Sequence, residues 1–138
     1  MSVILCSFAN ADGHARGARY STARWQPRGC SYPTLWFFAP FREDGSPIKM
    51  MPPEEYRLEY IKHVLFGPRR DQINRWLARL RADEDVTLMC WCNAGRQRGY
   101  PKLMCHTILI GYLIRLRRPD VEVVFADGRE NPVWDDLI

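Results

Sequence analysis

Lysine is scarce in this 138-residue chain: of its 20 basic residues only Lys49, Lys62 and Lys102 are lysine, leaving 17 arginines. Arginine forks two donors onto phosphate or carboxylate, so the bias points to an anionic ligand; genome composition or thermal adaptation would give the same usage. The net charge of +4 is too small to imply nucleic-acid binding by itself. Long apolar runs are missing as well. The longest, Leu103 to Ile114, is interrupted by His106 and falls short of the roughly 20 residues that a membrane span needs. Met1 to Gly17 shows no basic segment followed by an apolar stretch and carries Asp12 and His14, which argues against a secretory signal there. There are no internal repeats and no low-complexity tracts. These absences predict a cytoplasmic protein away from membranes. With 46% hydrophobic and 26% charged residues, the chain suits one globular domain with its own core.

What is present, and odd in number, is cysteine: Cys6, Cys30, Cys90, Cys92 and Cys105. Reducing conditions disfavour structural disulfides, so these thiols are expected to be packed, metal-binding or reactive.

Val3 to Phe8 is an apolar, β-branched run that reads as a strand, followed by a small polar loop over 10–18. A second short strand is expected over 18–24. Leu35 to Phe41 is apolar but broken by Pro40, which predicts a packed irregular segment or one helical turn. Pro53-Glu54-Glu55 opens a helix whose apolar positions Tyr56, Tyr60, Ile61, Val64 and Leu65 recur at three and four, until Gly67-Pro68 stops it. Ile73, Trp76, Leu77 and Leu80 mark a second helix with its arginines largely on the wet side. Val86 to Trp91 is apolar enough for a central strand, Leu103 to Leu116 reads as a third helix, and Val121 to Ala126 as a last strand. Alternating helices and strands in the second half predict an α/β fold: a single compact domain with a mainly parallel sheet of about four to five strands, flanking helices and a short irregular tail over 127–138.

In parallel sheets ligands bind at the carboxyl ends of the strands. There the sequence places Cys90, Cys92, Arg96 and Arg98, with Cys105-His106 opening the following helix. Cys92 to Arg98 has the cysteine, five residues, arginine spacing of protein tyrosine phosphatases. In that chemistry backbone amides and a forked arginine hold phosphate beside a thiolate. Cys90 to Arg96 has the same spacing, and no upstream general-acid aspartate stands out. Cys90, Cys92, Cys105 and His106 are also soft or borderline ligands suited to zinc, but they do not form two close Cys-x2-Cys pairs. The plainer reading packs Cys90 and Cys105 in the core. Cys105 beside His106 at a helix N-terminus is nevertheless the arrangement that makes thiolates. His14 is either a solvated loop residue or a ligand or base at the same edge, and Asp127 after the last strand could also reach it. Trp25, Trp36, Phe37, Phe38 and Phe41, near Arg24 and Arg28, are either a core cover or a stacking platform for a base. Arg115, Arg117 and Arg118 complement a helix C-terminus and need no ligand.

Arg24-Trp25-Gln26-Pro27-Arg28-Gly29-Cys30-Ser31-Tyr32-Pro33-Thr34-Leu35, Ala39-Pro40, Tyr56 and Tyr60 before Val64-Leu65, Val86 to Cys90, and Cys105-His106 before an apolar helix occur in that order. Over roughly residues 3 to 125 the chain thereby resembles the bacterial and phage domain-of-unknown-function family 488. The resemblance implies a compact α/β domain with a central, mainly parallel sheet, and it brings no settled biochemistry. The family pattern has an acidic residue two after the strand-end cysteine and a Cys-His-Arg at the helix start. Cys92 and Thr107 stand at those places here, and Arg96 or Arg98 could substitute for the arginine in space.

Two functions follow. The first is a thiol-dependent enzyme with Cys105 or Cys92 as nucleophile or redox thiol and His106 as base. Arg96, Arg98, Arg24 and Arg28 would form its anion site for a phosphorylated or nucleotide-like small molecule. The second is a nucleic-acid or protein-binding module with structural cysteines, or a Cys/His metal protein. No cofactor is predicted, with zinc the one candidate.

Overall fold

The computed structural model describes residues 2–9, 11–48, 51–91 and 105–126. Its centre is β1 (Ser2–Ser7), buried at every position. A strand buried on both faces needs a nearly continuous apolar run, which Val-Ile-Leu-Cys supplies. Among the described residues the sheet has four strands in the order β2-β3-β1-β4, with β2 at Ala18–Ser21, β3 at Val86–Cys90 and β4 at Glu122–Phe125. Every pairing is parallel. Val3 lies opposite Val86 and Val123, Ser7 opposite Cys90, and Ser21 opposite Met89. The expected α/β fold with a parallel sheet is therefore present.

The two faces are covered unequally. Val3, Leu5, Leu88, Cys90 and Val123 enter the larger core with the helices α2 (Pro53–Tyr60), α3 (Arg70–Arg79) and α4 (His106–Arg117). Ile4, Cys6 and Met89, on alternate positions, enter a smaller core closed by Ala11 of the one-turn α1 (Ala11–His14), Phe8, Ala15 and Tyr32. The helices that follow β1 and β3, α1 and α4, thus lie on opposite faces. That places the topological switch point between the carboxyl ends of these two neighbouring strands. There Phe8 N–H donates to the Cys90 carbonyl at 2.9 Å, and the Phe8 and Trp91 rings meet edge to face at 5.8 Å.

The run that is too short for a membrane becomes α4, buried from His106 through Ile114. A helix apolar all round belongs in a core; α4 packs on β1, β3 and β4 from one side and α2 from the other. Among the described residues no helix is long and apolar enough to cross a membrane.

Several boundaries differ from the sequence expectation. The strand expected over 18–24 ends at Ser21, because the Ser21 hydroxyl bonds both the N–H and the carbonyl of Ala23 and turns the chain. The loop after β1 contains α1. The helix opened by Pro53 widens into a π turn over Ile61–Leu65, with Phe66 N–H donating five residues back to the Ile61 carbonyl. Trp36–Phe38 forms a single 3-10 turn. The third helix begins at His106, Cys105 being its N-cap, and β4 is shorter by one residue at each end than expected. The tail over 127–138 lies outside the described residues.

Gly111 sets how closely α4 approaches the sheet. A Cβ there would stand 2.5 Å from Leu5 Cδ1 and 2.7 Å from the Phe125 ring. Gly111→Ala should therefore destabilise the fold by about 1–3 kcal/mol through overpacking, measured by chemical denaturation. Gly13→Ala, with open space around it, should leave the midpoint unchanged or slightly raised; equal behaviour of the two variants would contradict this packing.

Candidate thiol and imidazole site

The carboxyl ends of β2 and β3 and the start of α4 meet in a buried polar cluster. Cys90 is the last residue of β3 and Cys105 caps α4 in extended conformation. Their Sγ atoms lie 3.2 Å apart and both are fully buried. The Thr107 hydroxyl, in the first turn of α4, donates to Cys105 Sγ at 3.3 Å and lies 3.8 Å from Cys90 Sγ.

His106 is fixed from the other side by the chain leaving β2. The Thr22 hydroxyl donates its one proton to the Met89 carbonyl at 3.0 Å, so towards His106 Nε2, 2.9 Å away, it can only accept. The Thr22 carbonyl, a pure acceptor, lies 3.2 Å from the same nitrogen. Both contacts require a proton on Nε2. In the neutral ring Nδ1 is then the basic nitrogen, and it faces Cys105 Sγ at 3.8 Å. The imidazole is tilted against the Tyr60 ring, whose centroid is 5.6 Å away. Tyr60 donates its hydroxyl to the Phe38 carbonyl at 2.7 Å, and burial pushes its phenol well above the ordinary range, so it stays neutral.

The residues singled out by sequence fall into three groups. Cys90, Cys105 and His106 are brought together. Arg24 and Arg28 follow β2 but are exposed, and the Arg24 guanidinium sits 4.7 Å over the Phe41 ring and 5.5 Å over Trp25. Cys92, Arg96, Arg98 and Asp127 lie outside the described residues. Of the other candidates, His14 is exposed at the end of α1, Cys6 is buried in the smaller core and Cys30 is half-buried. Phe38 is core, while Trp25 and Trp36 are exposed. Sequence reasoning missed Thr22 and assigned no role to Thr107 or to the ring of Tyr60 against the imidazole. Thr22 follows the short edge strand, and only the tertiary fold brings it to His106, 84 positions later.

Among the described residues no group of three or more His, Cys, Asp or Glu side chains is arranged to hold a metal ion. Two thiolates on one tetrahedral zinc would stand roughly 3.8 Å apart, wider than the 3.2 Å found here. No family model, curated protein or solved structure matches the chain.

The tautomer is directly testable. At alkaline pH, where the ring is neutral, nitrogen-15 NMR should find the His106 proton on Nε2, and a proton on Nδ1 would contradict the hydrogen bonding described above. Thr22→Val removes the hydroxyl bond while the Met89 carbonyl keeps the Thr22 N–H at 2.9 Å, and should cost about 0.5–1.5 kcal/mol in chemical denaturation.

Proposed function

We propose that the chain is a thiol-dependent enzyme of the cytoplasm, with Cys105 as nucleophile, His106 as base and Thr22 as the residue that positions the base. Its substrate would be phosphorylated or nucleotide-like, bound at the carboxyl edge of the sheet. Arg24 and Arg28, with Arg96 and Arg98 beyond the described residues, are the candidate anion clamps. The family 488 resemblance belongs to the same proposal and rests on the sequence motifs alone.

The observation that carries this reading is the fixed imidazole: Thr22 holds the Nε2 proton, which turns the basic Nδ1 towards Cys105 Sγ. A nucleophile, a base and a group orienting the base are the recurring parts of thiol catalysis. The 3.8 Å separation is long for proton transfer, as such contacts often are before substrate binds. A thiolate on Cys105 would face the positive end of α4 and receive the Thr107 hydroxyl bond. In the chemical step the Cys105 proton passes to Nδ1 and the sulfur pair forms a bond to the electrophilic atom of the substrate. The leaving group departs with its bonding pair and takes the proton back from the imidazolium. Water, deprotonated by the same nitrogen, then bonds to that atom as the sulfur–substrate bond breaks with its pair returning to sulfur, and the imidazolium gives the proton back to the thiolate.

Alkylation with iodoacetamide across pH, mapped by mass spectrometry, tests the assignment. Cys105 should react faster than free cysteine near neutral pH, and His106→Asn should slow it at least tenfold, the lower range for a lost base being about a hundredfold. Thr22→Val should shift the pH profile of that reaction while circular dichroism stays native. If no thiol outpaces free cysteine, the nucleophile assignment fails.

A further inference from the structure

We infer that the cleft beside the β2 edge binds a nucleoside monophosphate, with its base against Trp36 and its phosphate on Arg24. Two adjoining hollows of about 310 and 320 Å³ share Trp36, Phe41 and Arg69. Each reaches the lower range of small-ligand sites. Arg24 and Thr34 line one, while Arg42 and Glu43 line the other.

The wall between them is rigid. Arg69, half-buried, donates to the carbonyls of Trp36, Ala39 and Phe41, tying down both ends of the turn that carries Trp36. Tyr60 holds the Phe38 carbonyl from beneath, and Phe38 packs edge to face on Trp76. On this clamped turn the Trp36 indole stays 53% exposed. A large aromatic surface fixed in water is a stacking platform already organised for a planar ring.

The cations around the cleft are not equivalent. Arg42 is committed to Glu59, the Ser46 hydroxyl and the Pro47 carbonyl, and Arg69 to the three carbonyls named above. Arg24 lies over Phe41 and Trp25, without a carboxylate partner among the described residues. Stacking leaves the edge of a guanidinium open, and that edge is the part that forks onto phosphate oxygens. At the opposite end Glu43 is held by His63 at 2.7 Å. Its own backbone and then His63 keep its carboxyl below the ordinary range. With Arg42 paired to Glu59, the Glu43 carboxylate makes that end the poorer one for phosphate and favours a ligand with its phosphate towards Arg24.

This inference gives the nucleotide-like group of the proposed enzyme a place, so it deepens that reading, yet binding here does not require a reactive thiol. Calorimetric titration of the intact chain with AMP, backed by tryptophan fluorescence, tests it. Adenosine, inorganic phosphate and a short single-stranded oligonucleotide serve as comparison probes. AMP should bind saturably, quench the fluorescence and outcompete both adenosine and phosphate. Trp36→Ala, at an exposed position, should lower AMP affinity about tenfold, within the range for one stacked base. Arg24→Ala should weaken AMP strongly and adenosine hardly at all. No saturable binding at millimolar AMP would overturn the inference, as would phosphate competing as well as AMP. Tight, salt-sensitive binding of the oligonucleotide without AMP binding would overturn it in favour of a strand-binding face. AMP binding without a fast thiol would keep the cleft and remove the enzyme reading; a fast thiol without AMP binding would do the reverse.

Discussion

The burial of α4 between the parallel sheet and α2 is the constraint on which the molecule depends. The helix has no wet side over its first nine residues, His106 to Ile114, so it cannot be moved without exposing core on two sides. Its closeness to the sheet is set where Gly111 meets Leu5 and Phe125. Fixing the helix axis also fixes its N-terminus, and that end arrives beside the last residue of β3 and the chain leaving β2. The proximity of Cys90, Cys105, His106 and Thr22 is therefore a consequence of packing made elsewhere. A small change in the Gly111 contact would move Cys105 and His106 together relative to Cys90 and Thr22 before it unfolded the protein.

How much of this could be read from the sequence depended on the range of the physics involved. The β1 and β3 runs, the proline-led start of α2 and the amphipathic repeat of α3 are local patterns, and each produced the element expected. The parallel sheet followed from their alternation. Boundaries failed where a side chain intervened: the Ser21 hydroxyl ended β2 early, and the π turn after Tyr60 had no local signal. At the site, clustering in sequence singled out Cys90, Cys105 and His106, and the fold brings their side chains close together. Clustering could not reveal Thr22, whose contact with His106 spans 84 positions and whose residue type is common in loops. Arg24 was legible as a cation at a strand end, but its stacking on Phe41 and Trp25 depends on the path of the proline-rich segment.

The arginines divide in the same way. Arg118 forks onto Asp120 and also bonds the Leu77 carbonyl, Arg115 lies over Phe125 and Tyr112, and Arg117 reaches Asn74. The cluster at the end of α4 is thus structural, as the helix dipole suggested, and more tightly fitted than a solvated face. Arg69 acts as a rigid splint for backbone carbonyls, a use that its five donors allow and that lysine could not reproduce.

Buried polarity is concentrated at the carboxyl edge of the sheet. Among the described residues the buried polar side chains are Ser2, Ser7, Ser21, Thr22, Thr87, His106 and Thr107, and all but Ser2 and Thr87 lie at the carboxyl ends of strands or the start of α4. Ser2 and Thr87 serve the architecture: the Ser2 hydroxyl donates to Glu122 on the neighbouring strand, and Thr87 pins the backbone of Arg16. A core selected for stability alone gains nothing from a buried imidazole held by two oxygens on one side, with two thiols beyond its other face, since apolar side chains of similar volume avoid the desolvation cost. Only the ordered polarity of that end distinguishes it from the rest of an otherwise apolar interior. Ordered polarity beside a buried thiol is what the proton transfer proposed for Cys105 would use.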